Sequence, residues 1–215
     1  MATEAIKFYK FRETTMLNTF KIRTVSTCAA LDNWLNASTQ LTDFENATLD
    51  FALQRYHELS RGWNEEELKM HFISSVLNIA NPNIPDVCKT FFERPLHGII
   101  DNYDMTIVTD CMVASPRFAG DPDKPYFFLQ EYKQAQRFGR TDPEGQMLAA
   151  MLIAQDINAD QKTLFGCYVI ERQWIFTTLN EREYCKSQSY NSTKKEDLVQ
   201  IVYVLRKLKE LILNR

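Results

Sequence analysis

The sequence predicts an α/β domain: a central mixed β-sheet flanked by helices. Three observations predict it. Apolar residues recur at helical spacing through the first quarter of the chain and again over 65–80. The middle, 90–133, changes to runs rich in β-branched and aromatic residues. A helix opening at Asp142, two further strand runs and a long closing helix complete the order helices, strands, helix, strands, helix.

The elements follow in turn. Ser26 or Thr27 is placed to cap a short helix through Trp34-Leu35, and Asp43 to cap a second whose stripe is Phe44, Ala47, Leu49, Phe51, Ala52, Leu53 and Tyr56. Arg61-Gly62-Trp63-Asn64 breaks that helix. Asn64 caps a third, EEELKMHFISSVLNIA, with Leu68, Phe72, Ile73, Val76 and Leu77 in period, and Asn81-Pro82-Asn83-Ile84-Pro85 stops it. Residues 90–114 read as strands turning at Asp101-Asn102, with room for another turn at 103–105. Ser115 to Pro125 holds Pro, Gly and Asp and reads as a loop. Tyr126 to Lys133 is the clearest strand in the chain. Asp142-Pro143-Glu144 starts a helix by cap, first-turn proline and acid, and it runs to about Asn158. Leu164–Ile170 and Trp174–Leu179 form a hairpin about Glu171-Arg172, with Trp174 and Phe176 as sheet core. Ser192 or Thr193 caps the last helix, which carries Leu198, Ile201, Val202, Leu205, Leu208 and Ile212 on one face.

Composition bounds the function. The 215 residues are 45% hydrophobic, enough to bury a core without disulfides or metals, and the net charge of −3 is not the basic footprint of a chain that holds nucleic acid by charge alone. Five cysteines form no C-x-x-C pair and three histidines no H-E-x-x-H, which argues against zinc. The start, MATEAIKFYKFRETTM, lacks the apolar run of a signal peptide. No stretch reaches the ~18 apolar residues of a membrane span. A reduced, cytoplasmic protein with no membrane partner is expected, and a homo-oligomer is allowed.

Polar groups in apolar surroundings carry the chemistry. Side chains alternate along a strand, so Glu131 and Lys133 point the same way from an otherwise apolar run. Such groups must be paired, bound to a metal, or at a strand end facing water. Asp110 lies near the end of a second apolar run. Carboxylates from adjacent strands can share a hard cation, and a lysine beside them can orient or activate water. Two carboxylates held close repel, so removing the Asp110 charge is expected to leave stability unchanged or raised. The competing reading of Glu131 and Lys133 is a structural ion pair on an edge strand. On the third helix, Glu65 shares a face with Leu68, Phe72 and Val76, and Glu66 with Met70, Ile73 and Leu77, so periodicity leaves both able to reach the sheet. Glu67 falls on the wet side. Gln146 lies with Ala149, Ala150 and Ile153, a face suited to close packing over strands. Lys133, Arg137 and Arg140, with Lys124, form a basic cluster fit to meet phosphates, while Lys194, Lys195, Arg206, Lys207 and Lys209 read as the solvated face of the last helix.

The stretch Thr109-Asp110-Cys111-Met112-Val113-Ala114, a loop, then Lys124 to Lys133 resembles the aspartate and E-x-K motifs of the PD-(D/E)XK nuclease superfamily. The likeness continues into Asp142-Pro143-Glu144-Gly145-Gln146 and reaches back to Trp63-Asn64-Glu65-Glu66-Glu67-Leu68-Lys69, similar to that superfamily's first core helix, so it spans about 63–180. Thr109 stands where the superfamily's name has proline, and Asp101 and Asp104 are rival ligands.

What the resemblance implies is specific. The core would be restriction-endonuclease-like, within one domain: a mainly helical extension over 1–62, the nuclease-like core over 63–180, and a final strand and helix over 181–215. Asp110 and Glu131 would hold Mg²⁺ (or Mn²⁺), and Lys133 would position the attacking water. Glu65 or Glu66 would be an outer ligand, and Gln146 would support Lys133 or the phosphate. The expected activity is hydrolysis of phosphodiesters in nucleic acid, DNA first. The alternative is a catalytically inactive member of the same fold that binds nucleic acid or a protein.

Overall fold

A computed structural model describes residues 5–117, 120–133 and 142–215. It is an α/β structure on one large mixed sheet. The early strands are β1 (Ile6–Lys7) and β2 (Arg23–Val25), the central ones β3 (Lys89–Ile100), β4 (Tyr103–Pro116) and β5 (Pro122–Lys133). β6 (Leu164–Ile170), β7 (Gln173–Asn180), β8 (Glu183–Lys186) and β9 (Tyr190–Asn191) follow. The main path runs β1-β4-β5-β6-β7-β8-β2, with β3 on β4 and β9 on β7. β5 and β6 are parallel, and the long connection between them includes α6 (Pro143–Asn158).

Two apolar layers sandwich the sheet. On one face α2 (Ala29–Leu35), α3 (Asp43–Leu59), α4 (Glu65–Leu68), a π-helical turn (Lys69–Ile73), α5 (Ser74–Ala80) and α7 (Lys195–Leu213) cover Phe128, Cys111, Val113, Trp174 and Phe176. On the other, α1 (Glu13–Thr19) and α6 cover Leu129, Met112, Met105 and Leu164. α6 is buried on nearly every side because α1 and the segment before it close over its outer face. Gly145 is required there: a Cβ would lie 2.6 Å from the Arg12 carbonyl carbon.

Several expected boundaries move. The N-terminal 62 residues are mainly helical yet supply β1 and β2 to the sheet. Cys28, whose sulfur accepts from the Leu31 N–H, caps α2 in place of Ser26 or Thr27. Thr42, not Asp43, caps α3, since it closes a reciprocal capping box with Glu45. Of the α3 stripe only Leu49 and Ala52 are fully buried, while Phe44 and Phe51 face solvent. There is no turn at 103–105; β3 and β4 form one hairpin turning at Asp101-Asn102. Both ends of the expected loop from Ser115 to Pro125 are strand, because bulged pairing carries β4 to Pro116 and starts β5 at Pro122. α7 begins after Lys194 with no side-chain cap, the Asn191 carboxamide oxygen having taken the Thr193 N–H. Its basic residues are not simply solvated: Arg206 donates to the Ile79 carbonyl and Glu45, and Lys195 pairs with Asp50. No helix among the described residues is long and apolar enough to cross a membrane.

Candidate active site

The site forms where β4 and β5 part. Their antiparallel ladder ends at Cys111 opposite Gln130, and one more step in that register sets Asp110 opposite Glu131. Directly opposed residues share a face, so the two carboxyls lie against one another. The freed Tyr132 N–H is not left unpaired: it donates to Asp110 Oδ2 at 2.7 Å. The β3–β4 register likewise sets Glu93 opposite Asp110. Glu93 has φ of 50°, the left-handed region, inside a strand. There the alternation of both strands slips: Phe91 with Leu96, and Ile107 with Met112, end on the same core face although their numbers differ in parity.

The helix side is set by Asn64. Its side chain accepts from Glu67 N–H while Glu67 accepts from Asn64 N–H, a capping box that fixes Glu67 as structural, on the wet side as its helical position indicates. The box starts α4 so that Leu68 packs into the core and Glu65 turns toward the sheet. Glu65 Oε1 accepts from Lys133 Nζ at 3.3 Å and lies 3.2 Å from Lys69 Nζ. Glu66 is 73% exposed and joins only at the rim, through Lys69 at 3.1 Å. The structure therefore separates the two glutamates that periodicity did not.

Lys69 is the residue sequence reasoning missed. Its ammonium donates to Asp110 Oδ1 at 2.8 Å and also reaches Glu65, Glu66 and Glu93, the last at 3.2 Å. It opens the π turn, an irregularity that recurs at functional sites. Burial alone disfavours its charge, but the hydrogen bond and charge of Asp110 outweigh this and raise its pKa. The signal available in sequence was a lysine four residues after Glu65, which reads as an ordinary surface pair.

Glu131 is buried, and its Oε1 has no hydrogen-bond partner among the described residues. Burial pushes its pKa well above the ordinary carboxylate value. The Asp110 charge adds to this, and Lys133 and Lys69 oppose it.

Asp110, Glu131, Lys133 and Glu65 come together, with Glu66 at the edge. Gln146 stands in the first turns of α6, half-buried, its Oε1 unpartnered, and no described contact joins it to Lys133. Asp101 is held by Arg182 and Asp104 by His97 at the far end of the hairpin. Arg137 and Arg140 lie outside the described residues; Lys124 is exposed. Among the described residues no group of three or more His, Cys, Asp or Glu side chains is arranged to hold a metal ion.

No family model matches the chain, and no curated protein matches it.

Proposed function

We propose that the chain is a metal-dependent phosphodiesterase acting on nucleic acid, DNA first, built as the PD-(D/E)XK nucleases are. The observation that supports this most is Glu131: a fully buried carboxyl with an unpartnered oxygen, set against Asp110 and two residues from a lysine. A buried carboxylate without a partner is costly, and coordinating a metal ion is one way to relieve that cost. The residues fit Mg²⁺, which is commonly held by one or two carboxylates with waters completing its shell. By formal count, Glu65, Glu66, Glu93, Asp110 and Glu131 outnumber Lys69 and Lys133 by three charges, an excess that one divalent cation reduces to one.

Asp110 and Glu131 are the residues to hold the cation, which when bound supplies Lewis-acid polarisation of a phosphate oxygen. Lys133, anchored by Glu65 and only 30% exposed, orients a water or a phosphate oxygen and offsets the charge that develops on the phosphate. Glu65 is a positioning residue that sets the Lys133 ammonium.

One observation favours a second reading, a non-catalytic binding module: Lys69 already gives Asp110 a cationic partner. Two measurements separate the readings. Single- and double-stranded DNA and RNA are incubated with Mg²⁺ or Mn²⁺; the nuclease reading expects cleavage that Lys133→Ala lowers by about 10²-fold or more. Thermal melts of Lys69→Met are run with EDTA and with Mg²⁺. On the nuclease reading the variant is destabilised in EDTA and recovers with Mg²⁺, because the dication takes the place of the ammonium. Absence of cleavage, together with a melt indifferent to metal, rejects the enzyme and leaves the module.

A further inference from the structure

Beside the carboxylate pair runs a groove of about 290 Å³ between the π turn, α5 and β3. Asp110, proposed above as a cation ligand, and its partner Lys69 both line it, so the groove adjoins the proposed site. Its walls are apolar: Ile73 and Leu77, both buried, make the helix side. Two large apolar side chains stand at its mouth, Phe92 at 52% exposure and Met70 at 71%. Phe92 immediately precedes Glu93, whose left-handed backbone marks the break in strand alternation. Its partner across the ladder, Cys111, points into the core.

We infer that this groove receives an unpaired nucleobase, and that the preferred substrate is therefore single-stranded nucleic acid. The inference rests on the nuclease reading for the identity of the substrate and adds to it the strandedness. The chemistry selects the occupant. Glu66 and Glu93 at the rim repel a phosphate chain laid along the groove, so what enters must be an uncharged part of a nucleotide whose phosphate stays at the Asp110 end. A nucleobase has that form, with two flat apolar faces and a polar edge. Phe92 offers an aromatic face and Met70 a polarisable thioether, the contacts that stack bases without reading sequence. Asn78, also lining the groove and exposed, offers an amide to the base edge. In a duplex both faces of every base are already covered by its neighbours, so only an unstacked base can reach Phe92.

The test measures binding and cleavage on the full chain. Labelled 12-mers of one sequence, as single-stranded DNA, single-stranded RNA and duplex DNA, are titrated by anisotropy in Ca²⁺ and digested in Mg²⁺ or Mn²⁺, for wild type, Phe92→Ala, Phe92→Leu and Asp110→Asn. The expected result is tighter binding and faster cleavage of single strands than of duplex. Phe92→Ala weakens single-strand binding about tenfold, a stacking interaction's worth of about 1.4 kcal/mol, and Phe92→Leu loses part of it. Phe92 is exposed, so thermal melts of both variants should match wild type. The ratio of DNA to RNA cleavage names the sugar. Duplex cleavage that Asp110→Asn abolishes and Phe92→Ala leaves unchanged overturns the base site and keeps the nuclease. Single-strand binding sensitive to Phe92, with no cleavage of any strand, rejects the nuclease and keeps the base site. Absence of both binding and cleavage rejects both. A dimer that Phe92→Ala dissolves, with no effect on nucleic acid, overturns the base site in favour of a second copy of the chain.

Discussion

Asp110 shows how one side chain can serve the backbone and the chemistry together. One oxygen takes the Tyr132 N–H released where β4 and β5 separate, and the other takes Lys69. The sequence expectation, that repulsion from Glu131 makes its charge dispensable for stability, is tested against this geometry by Asp110→Asn. An asparagine can keep the Tyr132 bond but turns an N–H₂ toward the Lys69 ammonium. We expect the variant to lose metal-dependent cleavage and, in EDTA, to lose about 1–3 kcal/mol of stability, measured by urea titration. An unchanged or raised midpoint would show that carboxylate repulsion outweighs the ammonium, as charge counting without Lys69 suggests.

At the scale of elements, two irregularities aim the site: the π turn that presents Lys69 and the slip in β3–β4 that presents Asp110. Neither is a defect of pairing, since the β3–β4 register is continuous on both sides of Glu93. The start of α4 is equally decisive, because the Asn64–Glu67 box sets where Glu65 points. Asn64→Ala removes it, and a loss of about 1 kcal/mol is expected by denaturant titration, with a weaker Lys133–Glu65 pair as its local consequence. A sharper effect is expected in α6. A Cβ on Gly145 would fall within 2.6 Å of the Phe11 and Arg12 backbone, so Gly145→Ala must push the N-terminal segment away. Overpacking against rigid backbone predicts a loss of about 1–3 kcal/mol and faster proteolysis near Phe11. Wild-type stability in this variant would mean that the segment does not close over α6 in solution.

For the molecule as a whole, two buried acids are expected to make stability depend on pH. Glu131 lies at the open end of the β4–β5 ladder. On α6, Glu144 takes hydrogen bonds from Tyr168, Tyr184 and Lys186, tying that helix to β6 and β8. Burial raises both pKa values, against Lys186 and Tyr168 in the case of Glu144. The sign follows directly. A carboxyl that binds its proton more tightly when folded stabilises the fold fully below its ordinary value of 4.5, and loses that contribution as pH rises through the folded value. In EDTA the melting temperature should therefore fall as pH climbs from about 4.5 upward. Glu131→Gln should flatten the part of that slope due to Glu131, leaving the part due to Glu144. The same slope in the variant as in wild type would show that Glu131 is not the group that titrates.

Much was legible in the sequence where local chemistry decides. The β-formers of Tyr126–Lys133, the Asp142-Pro143 helix start, the Asn64 cap and the Glu171-Arg172 hairpin all stand where the residues indicate, because caps, prolines and alternation act within a few positions. Asp110, Glu131 and Lys133 could likewise be singled out, since a charge in an apolar strand is conspicuous at any register. What the tertiary structure alone decided depends on contacts between residues distant along the chain. The choice of Glu65 over Glu66 turns on a lysine 68 positions away, and the partner of Asp110 lies 41 positions before it on a helix. Lys69 gives no local sign of burial, because its surroundings are made by β3, β4 and β5 folding against the π turn. The slip of alternation at Glu93 hides from a period-two reading for a related reason: the pattern is defined only while both strands keep one face, and here the two halves of β3 and of β4 bury opposite parities. Local propensity wrote the elements; the β4–β5 register brought the carboxyls together.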